Sequence, residues 1–260
     1  MRFLKPLSDL VFTLLIWTYY IPGFLLFFSP LYVGALIFSS NRRAAFQRLN
    51  SLYYRSFFFV VRALIPGLRI SVEDRVRSIH SSVIVCNHLS YLDPILLISL
   101  FPRHKTVVKG VFFRVPVFGW ILRASGYLPS SNGGAEPSGV LEGIADMESF
   151  LSSGGNLFIF PEGTRSRDGR IGQFNHGAFR IARRFGAPLK VLFIGGTNDL
   201  LPPGRFLFNT RGRKTVEIRL IGDLKPDYGN EDFSIGRLAD QVRSLYREET
   251  VPHPLEGFSP

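Results

Sequence analysis

The apolar positions of the chain fall into three successive patterns. From Leu10 to Asn41 no charged residue occurs, and Phe, Leu, Ile, Tyr and Val dominate. A straight helix of that length would exceed the roughly 30 Å hydrocarbon core of a bilayer. Pro22-Gly23 and Pro30 interrupt the run, leaving pieces that are each short for a full span. Arg2 and Lys5 precede it, and Arg42, Arg43 and Arg48 follow it. Basic flanks on both sides predict a re-entrant hairpin, or a pair of short helices, with both ends on the cytoplasmic face. A cleaved signal peptide fits poorly, because the apolar part is too long and no small-residue cleavage pattern follows. Residues 1–40 are therefore assigned to a hydrophobic, membrane-associated helical segment.

The second pattern, Arg42 to Ile65, is amphipathic. Arg48, Arg55 and Arg62 recur every seven residues along one stripe, while Leu49, Leu52, Phe57, Val60, Val61 and Leu64 fill much of the remainder. This predicts an interfacial helix over residues 41–67 lying among lipid head groups; the plainer alternative is a helix that covers a protein core. Pro66-Gly67 closes it.

From about Leu68 the pattern becomes globular. Short apolar runs predict strands at Ser82–Cys86, Thr106–Lys109, Gly126–Leu128, Asn156–Phe160, Leu189–Ile194 and Lys214–Ile221. Helical periodicity falls at Pro94–Leu100, Pro116–Ala124, Gly139–Leu151, Gly177–Phe185 and Ile235–Arg247. Such alternation predicts an α/β domain over residues 68–260, with a central mixed or largely parallel sheet flanked by helices. Ser130–Gly139, rich in Gly, Ser and Pro, is predicted to be a mobile loop.

Composition narrows the partners. With 46% hydrophobic residues and 25 Phe among 260 residues, the chain can build a core and still touch lipid. A single cysteine, Cys86, excludes an internal disulfide and any multi-cysteine metal site. It ends a buried-looking strand and has no cationic neighbour in sequence to lower its pKa, so it is rejected as a nucleophile. The formal charge of +11 and pI near 10.1 call for a polyanionic partner. No recognition helix, zinc knuckle or aromatic sheet signature speaks for nucleic acid. Membrane lipids and a phosphorylated substrate account for the charge with fewer assumptions.

Two short segments carry the chemistry. His88 and Asp93 stand in Asn87-His88-Leu89-Ser90-Tyr91-Leu92-Asp93, directly after the strand Ser82–Cys86. In one continuous helix a five-residue gap turns the side chains apart by about 140°. Asp93-Pro94 before Ile95-Leu96-Leu97-Ile98 instead reads as an N-cap and first-turn proline. His88 then lies in the loop leaving a strand, with Asp93 at the mouth of the next helix. The carboxylate can take one imidazole N–H and leave the other nitrogen basic. The bland alternative is a packed histidine and an aspartate that only caps. In the second segment Pro161 ends the strand, and Glu162-Gly163-Thr164-Arg165 makes a turn. An acid and a guanidinium straddling a glycine can hold a hydroxylated head group and a phosphate together, Arg165 gripping the phosphate through its fork. His80, His104, His176 and His253 have no carboxylate at a telling spacing.

With these residues in view, the chain resembles the glycerolipid acyltransferases, most closely the 1-acylglycerol-3-phosphate acyltransferases that make phosphatidic acid. The likeness runs from about Val83 to Thr197, with a similar hydrophobic N-terminal region. His88 through Asp93 resembles the family's His-x4-Asp block, and Phe160 through Arg165 its complete Phe-Pro-Glu-Gly-Thr-Arg block. Lys109 with Pro116 and Gly119 resembles the second block, and Ile194-Gly195-Gly196-Thr197 the fourth. Three positions depart. Tyr127 to Asn132 lacks an arginine frequent in relatives, Asn175 stands where a lysine is frequent, and Val191 replaces a common proline.

The resemblance implies direct acyl transfer from acyl-carrier protein or acyl-CoA to the free hydroxyl of lysophosphatidic acid or a related lysolipid, at the cytoplasmic face of a membrane. His88 would act as general base and Asp93 as its orienting partner. Lys109, Gly163, Thr164 and Arg165 would bind the acceptor, and Glu162 its glycerol portion. No metal or resident cofactor is expected, and no serine or cysteine lies in a nucleophile-elbow context. An amino-acid-based lysolipid is the alternative acceptor, and a non-catalytic lipid-binding protein the alternative of another class.

Overall fold

A computed structural model of the chain describes residues 4–130 and 146–250. Among these residues seven strands form one sheet: β1 (Leu68–Val72), β2 (Ser82–Cys86), β3 (His104–Val108), β4 (Leu128–Pro129), β5 (Asn156–Ile159), β6 (Leu189–Gly195) and β7 (Lys214–Leu224). Their order is β1-β7-β6-β2-β5-β3-β4, and every pairing is parallel except β6 with β7. All five residues of β2 are buried, as expected of a strand paired in parallel on both sides and covered on both faces. The mixed, mostly parallel sheet of the sequence reading is therefore present. The reading omitted β1, whose apolar residues Leu68, Ile70 and Val72 alternate with exposed positions on a short edge. β4 is cut to two residues, Leu128 and Pro129, and Ser130 N–H donates to the Val108 carbonyl at 2.8 Å beyond them.

The helices are α1 (Leu4–Thr18), α2 (Ser29–Phe38), α3 (Arg42–Leu64), α4 (Asp74–Arg77), α5 (Leu92–Leu100), α6 (Phe118–Ala124), α7 (Met147–Ser152), α8 (Gly177–Arg184), α9 (Thr197–Leu200) and α10 (Ile235–Thr250). One apolar cluster joins α3 and α5 to one face of the sheet through Phe57, Val61, Leu96, Ile84 and Phe158. A second cluster packs α7, α8 and α10 on the opposite face through Phe150, Phe179, Val242 and Tyr246. The predicted loop at Ser130–Gly139 and the first half of the predicted helix Gly139–Leu151 fall largely outside the described residues.

The N-terminal segment corrects the sequence reading. α1, a π-helical stretch Tyr19–Phe28 and α2 follow one another without a break, in place of a re-entrant hairpin or two separated helices. The prolines fail to break the path for a physical reason. Pro22 lies inside the π-helical stretch, whose wider turn relieves the clash of its ring with the carbonyl four residues earlier, and next to Pro30 the Ser29 hydroxyl donates to the Leu25 carbonyl. Leu7–Phe38 is 32 residues long and apolar enough to cross a membrane by length and composition.

This helix rests on α3. Phe28 and Phe24 meet Tyr53 edge-on at 5.0 and 5.2 Å between ring centroids, and Tyr32 meets Phe46 at 5.0 Å. α3 thus buries Phe46, Tyr53, Phe57 and Val61 while Arg48, Arg55 and Arg62 stay exposed. One face therefore completes the core, as the plainer alternative expects, and the other presents cations.

A buried polar chain ties the N-terminal helix to the sheet. The Tyr32 hydroxyl donates to Asn50 Oδ1 at 2.5 Å, and Asn50 Nδ2 donates to the Tyr127 oxygen at 3.0 Å. Tyr127 in turn donates to His104 Nε2, whose Nδ1–H is given to the Phe101 carbonyl at 2.5 Å. His104 is fully buried, and burial lowers its pKa to about 4. It is a satisfied core histidine.

Candidate active site

β2, β5 and β3 are adjacent, parallel strands, and their carboxyl ends deliver the predicted residues to one edge of the sheet. His88 follows β2, the turn with Glu162 and Arg165 follows β5, and Lys109 follows β3. Crevices at the carboxyl ends of an open parallel sheet are where such folds bind ligands.

His88 Nδ1 lies 2.9 Å from Asp93 Oδ2. The same oxygen accepts the backbone N–H groups of Leu89 at 2.5 Å and Ser90 at 2.7 Å, and Asp93 is fully buried. An oxygen that already accepts two backbone N–H groups serves as acceptor for the imidazole as well, so Nδ1 carries the proton and Nε2 keeps its lone pair. Asp93 is not the N-cap that the sequence suggested. α5 begins at Leu92, and Asp93 sits inside its first turn, reaching back to the amides of the preceding loop. The His88 ring stacks on Phe160 with centroids 4.3 Å apart, which fixes its plane. Held in this way, the imidazole can take a proton at Nε2.

Phe160 to Gly163 closes through Gly163 N–H donating to the Phe160 carbonyl at 3.1 Å, with Pro161 and Gly163 at positions that favour those residues. Gly163 has φ +67°, and a Cβ there would come 3.1 Å from Asn175 Nδ2. Glu162 is turned inward. Its Oε1 accepts the His88 backbone N–H at 3.1 Å and its Oε2 accepts Gly172 N–H at 2.9 Å. Burial raises its pKa above the usual carboxylate range, opposed by those two amide bonds and by His88. Glu162 therefore joins the His88 loop to the loop after Arg170, and Ser166 N–H donates to the His88 carbonyl at 2.8 Å as a second tie.

Arg165 lies with its guanidinium carbon 3.4 Å from the centroid of the Tyr91 ring. Its Nη1 is buried and has no hydrogen-bond partner among the described residues. A buried guanidinium nitrogen without an acceptor costs free energy, unlike one that faces water or an anion. Glu162, Thr164, Arg165, Ser166, Arg170 and Asn175 line an open cleft of about 410 Å³ beside it. Gly163 and Thr164 are exposed at its rim. Lys109 is exposed at the start of the turn after β3, on the same edge of the sheet, without a hydrogen bond to His88 or Arg165.

The structure adds residues that no local pattern revealed. Asn87 donates to the Ile194 carbonyl and accepts the Ile194 N–H, each at 2.8 Å, and Ser90 Oγ donates to the Leu201 carbonyl at 2.8 Å. Tyr91 supplies the shelf under Arg165. Cys86 is buried, and burial pushes its thiol well above its ordinary pKa, in keeping with its rejection as a nucleophile. Among the described residues no group of three or more His, Cys, Asp or Glu side chains comes together to hold a metal ion.

Comparisons with known proteins agree with this architecture. A family model described as Acyltransferase matches residues 67–195. The chain is 34% identical over 214 residues to the chloroplastic 1-acyl-sn-glycerol-3-phosphate acyltransferase BAT2 of Brassica napus, covering 82% of this chain and 58% of that one. It is 33% identical over 173 residues to the chloroplastic 1-acyl-sn-glycerol-3-phosphate acyltransferase LPAT1 of Arabidopsis thaliana, covering 65% of this chain and 46% of that one. The chain thus spans about half the length of these relatives. The crystal structure of the 1-acyl-sn-glycerophosphate acyltransferase PlsC from Thermotoga maritima matches it with a TM-score of 0.68, over 97% of this chain and 100% of that one, at 21% identity. That likeness shows the fold. The chain belongs to the glycerolipid acyltransferase family.

Proposed function

We propose that this protein is a membrane-associated O-acyltransferase that converts 1-acylglycerol-3-phosphate to phosphatidic acid, with acyl-carrier protein or coenzyme A as the thioester donor. The observation that carries this reading is an oriented imidazole and an unpartnered guanidinium built into the same pair of loops. His88 Nε2 takes the proton of the acceptor hydroxyl while Asp93 holds the imidazolium that forms. The hydroxyl oxygen attacks the thioester carbonyl carbon, the tetrahedral oxyanion collapses, the C–S bond breaks, and the leaving thiolate takes the proton back from His88. A positioned base contributes about 10²–10⁴-fold, so alignment of the two substrates supplies much of the remainder. Arg165 and Lys109 would hold the acceptor phosphate, with Gly163 and Thr164 at the rim. Both Glu162 oxygens accept backbone amides, so its contact with the acceptor glycerol would come through remaining lone pairs.

Purified protein assayed with lysophosphatidate and each thioester donor tests the reading. Wild type is expected to release free thiol and form phosphatidate, and His88→Ala to lose at least about 99% of that rate while keeping its melting temperature. Residual transfer above a few per cent in His88→Ala would end the general-base assignment. One observation favours a second acceptor: beside Arg165 and Arg170 the cleft wall carries the Asn175 amide at a position where a lysine is frequent in relatives. An amino-acid-based lysolipid, lacking a phosphate monoester, belongs in the same assay, and preferential acylation of it would replace phosphatidate as the product.

A further inference from the structure

Asp93 is held from two sides, and only one of them faces His88. Oδ2 takes the imidazole and two amides, whereas Oδ1 has a single donor among the described residues: Thr197 Oγ1, at 2.5 Å. Thr197 is fully buried and opens α9, directly after β6. Its place is over-determined. Gly196 before it has φ +76°, and a Cβ there would lie 2.0 Å from the Thr215 carbonyl oxygen, so only glycine lets β6 pass β7 this closely. Asn87 clamps Ile194 through both backbone groups, and Ser90 bonds Leu201, so the segment carrying Thr197 is fastened to the His88–Asp93 loop at both ends.

We propose that Thr197 is the positioning residue of the dyad: its hydroxyl fixes the plane of the Asp93 carboxylate and shares its charge, and thereby sets the basicity of His88. The other titratable groups around the dyad are Glu162 from the turn after β5, Arg165 above Tyr91, and the buried Cys86 thiol and Tyr246 hydroxyl beneath the loop. None of these donates to Asp93 Oδ1. A carboxylate that loses a hydrogen-bond donor becomes more basic and draws the imidazolium proton more strongly. Removal of the Thr197 hydroxyl should therefore move His88 protonation, and the acid limb of the rate, to higher pH.

Thr197→Val keeps the shape and deletes the donor, Thr197→Ser keeps the donor and deletes the methyl, and Thr197→Cys offers a weak donor of similar size. Imidazole titration by NMR of the full chain, labelled at histidine and held in detergent, reads His88 without any substrate. The valine variant is expected to raise the His88 midpoint by roughly half to one pH unit, the cysteine variant by less, and the serine variant hardly at all. In the transfer assay kcat should fall about tenfold in the valine variant with the acceptor KM unchanged, and serine should restore most of it. Identical midpoints in all variants would overturn the proposal, as would equal losses in valine and serine, which would signify packing by the methyl. Should the valine variant fail to fold, the cysteine variant carries the comparison, and an unmoved midpoint there overturns it equally. The kinetic arm rests on the acyl-transfer reading and the titration arm does not. A shifted midpoint in a protein that acylates no lysophosphatidate would keep Thr197 in its role and sink the proposed acceptor.

Discussion

At the scale of single residues, the site is assembled by backbone bonds as much as by its reactive groups. Of the four donors to Asp93, all but Thr197 come from His88 and the two residues after it, so the loop folds around the carboxylate it serves. Arg165 is placed differently, by an aromatic face rather than an acidic partner. An acid there would neutralise the guanidinium; a tyrosine leaves its charge for an incoming anion. A charge-assisted contact in such a setting contributes about 1.5–3 kcal/mol. Arg165→Ala should thus raise the KM for lysophosphatidate by one to two orders of magnitude, with little change in the KM of the thioester donor. Arg165→Lys should recover only part, because an ammonium lacks the planar fork. Tyr91→Ala removes a cation–π contact of about 0.5–2 kcal/mol and should give a smaller change of the same kind. Kinetics with varied acceptor at saturating donor decide, and unchanged acceptor KM in Arg165→Ala would remove the phosphate from this position.

At the scale of elements, the N-terminal helix is joined to the domain by polar chemistry that titrates. The chain from Tyr32 through Asn50 and Tyr127 requires His104 Nε2 to accept, which only the neutral imidazole can do. Its pKa is about 4 in the folded protein and about 6.5 when exposed. The unfolded chain therefore binds the extra proton first as pH falls. Stability from this group is fully present above about 6.5, declines between about 6.5 and 4, and the total loss is on the order of a few kcal/mol. Melting temperature should fall through that window, and the slope should be smaller in His104→Gln. An equal slope in both proteins would show that other groups carry the acid sensitivity. None of this could be read from sequence, because Tyr32, Asn50, Tyr127 and His104 are far apart along the chain. What was legible was local: apolar runs such as Ser82–Cys86, and the two segments whose chemistry and turn geometry lie within six or seven residues. Pro22 interrupts the apolar run in sequence, and the structure carries the helical path past it in a π-helical register. Thr197 reaches Asp93 across 104 positions, so its hydroxyl carried no visible signal.

At the scale of the whole molecule, the apolar N-terminal helix and the basic surplus meet on α3. Truncation at residue 40 would strip Tyr53, Phe46 and Phe57 of their covering rings, so the shortened chain is expected to aggregate rather than yield a clean soluble domain. The proposed membrane attachment is better divided by charge. Arg48, Arg55 and Arg62 are exposed, with Leu52 and Phe59 exposed among them at 49% and 74%. A stripe of this composition suits an anionic head-group layer, each cation adding about 1 kcal/mol near such a surface. Replacing all three arginines with glutamine should leave the fold intact, since none is buried. It should weaken binding to anionic vesicles by about two orders of magnitude at low salt. At high salt wild type and variant should converge, because screening removes the contribution that the variant already lacks. What remains should be salt-insensitive and equal on zwitterionic vesicles, the share of the exposed apolar helix. Co-sedimentation of both proteins across a salt series is the measurement. A variant that binds anionic vesicles as tightly as wild type at low salt would assign the attachment to apolar insertion alone and leave the arginine stripe without a part in it.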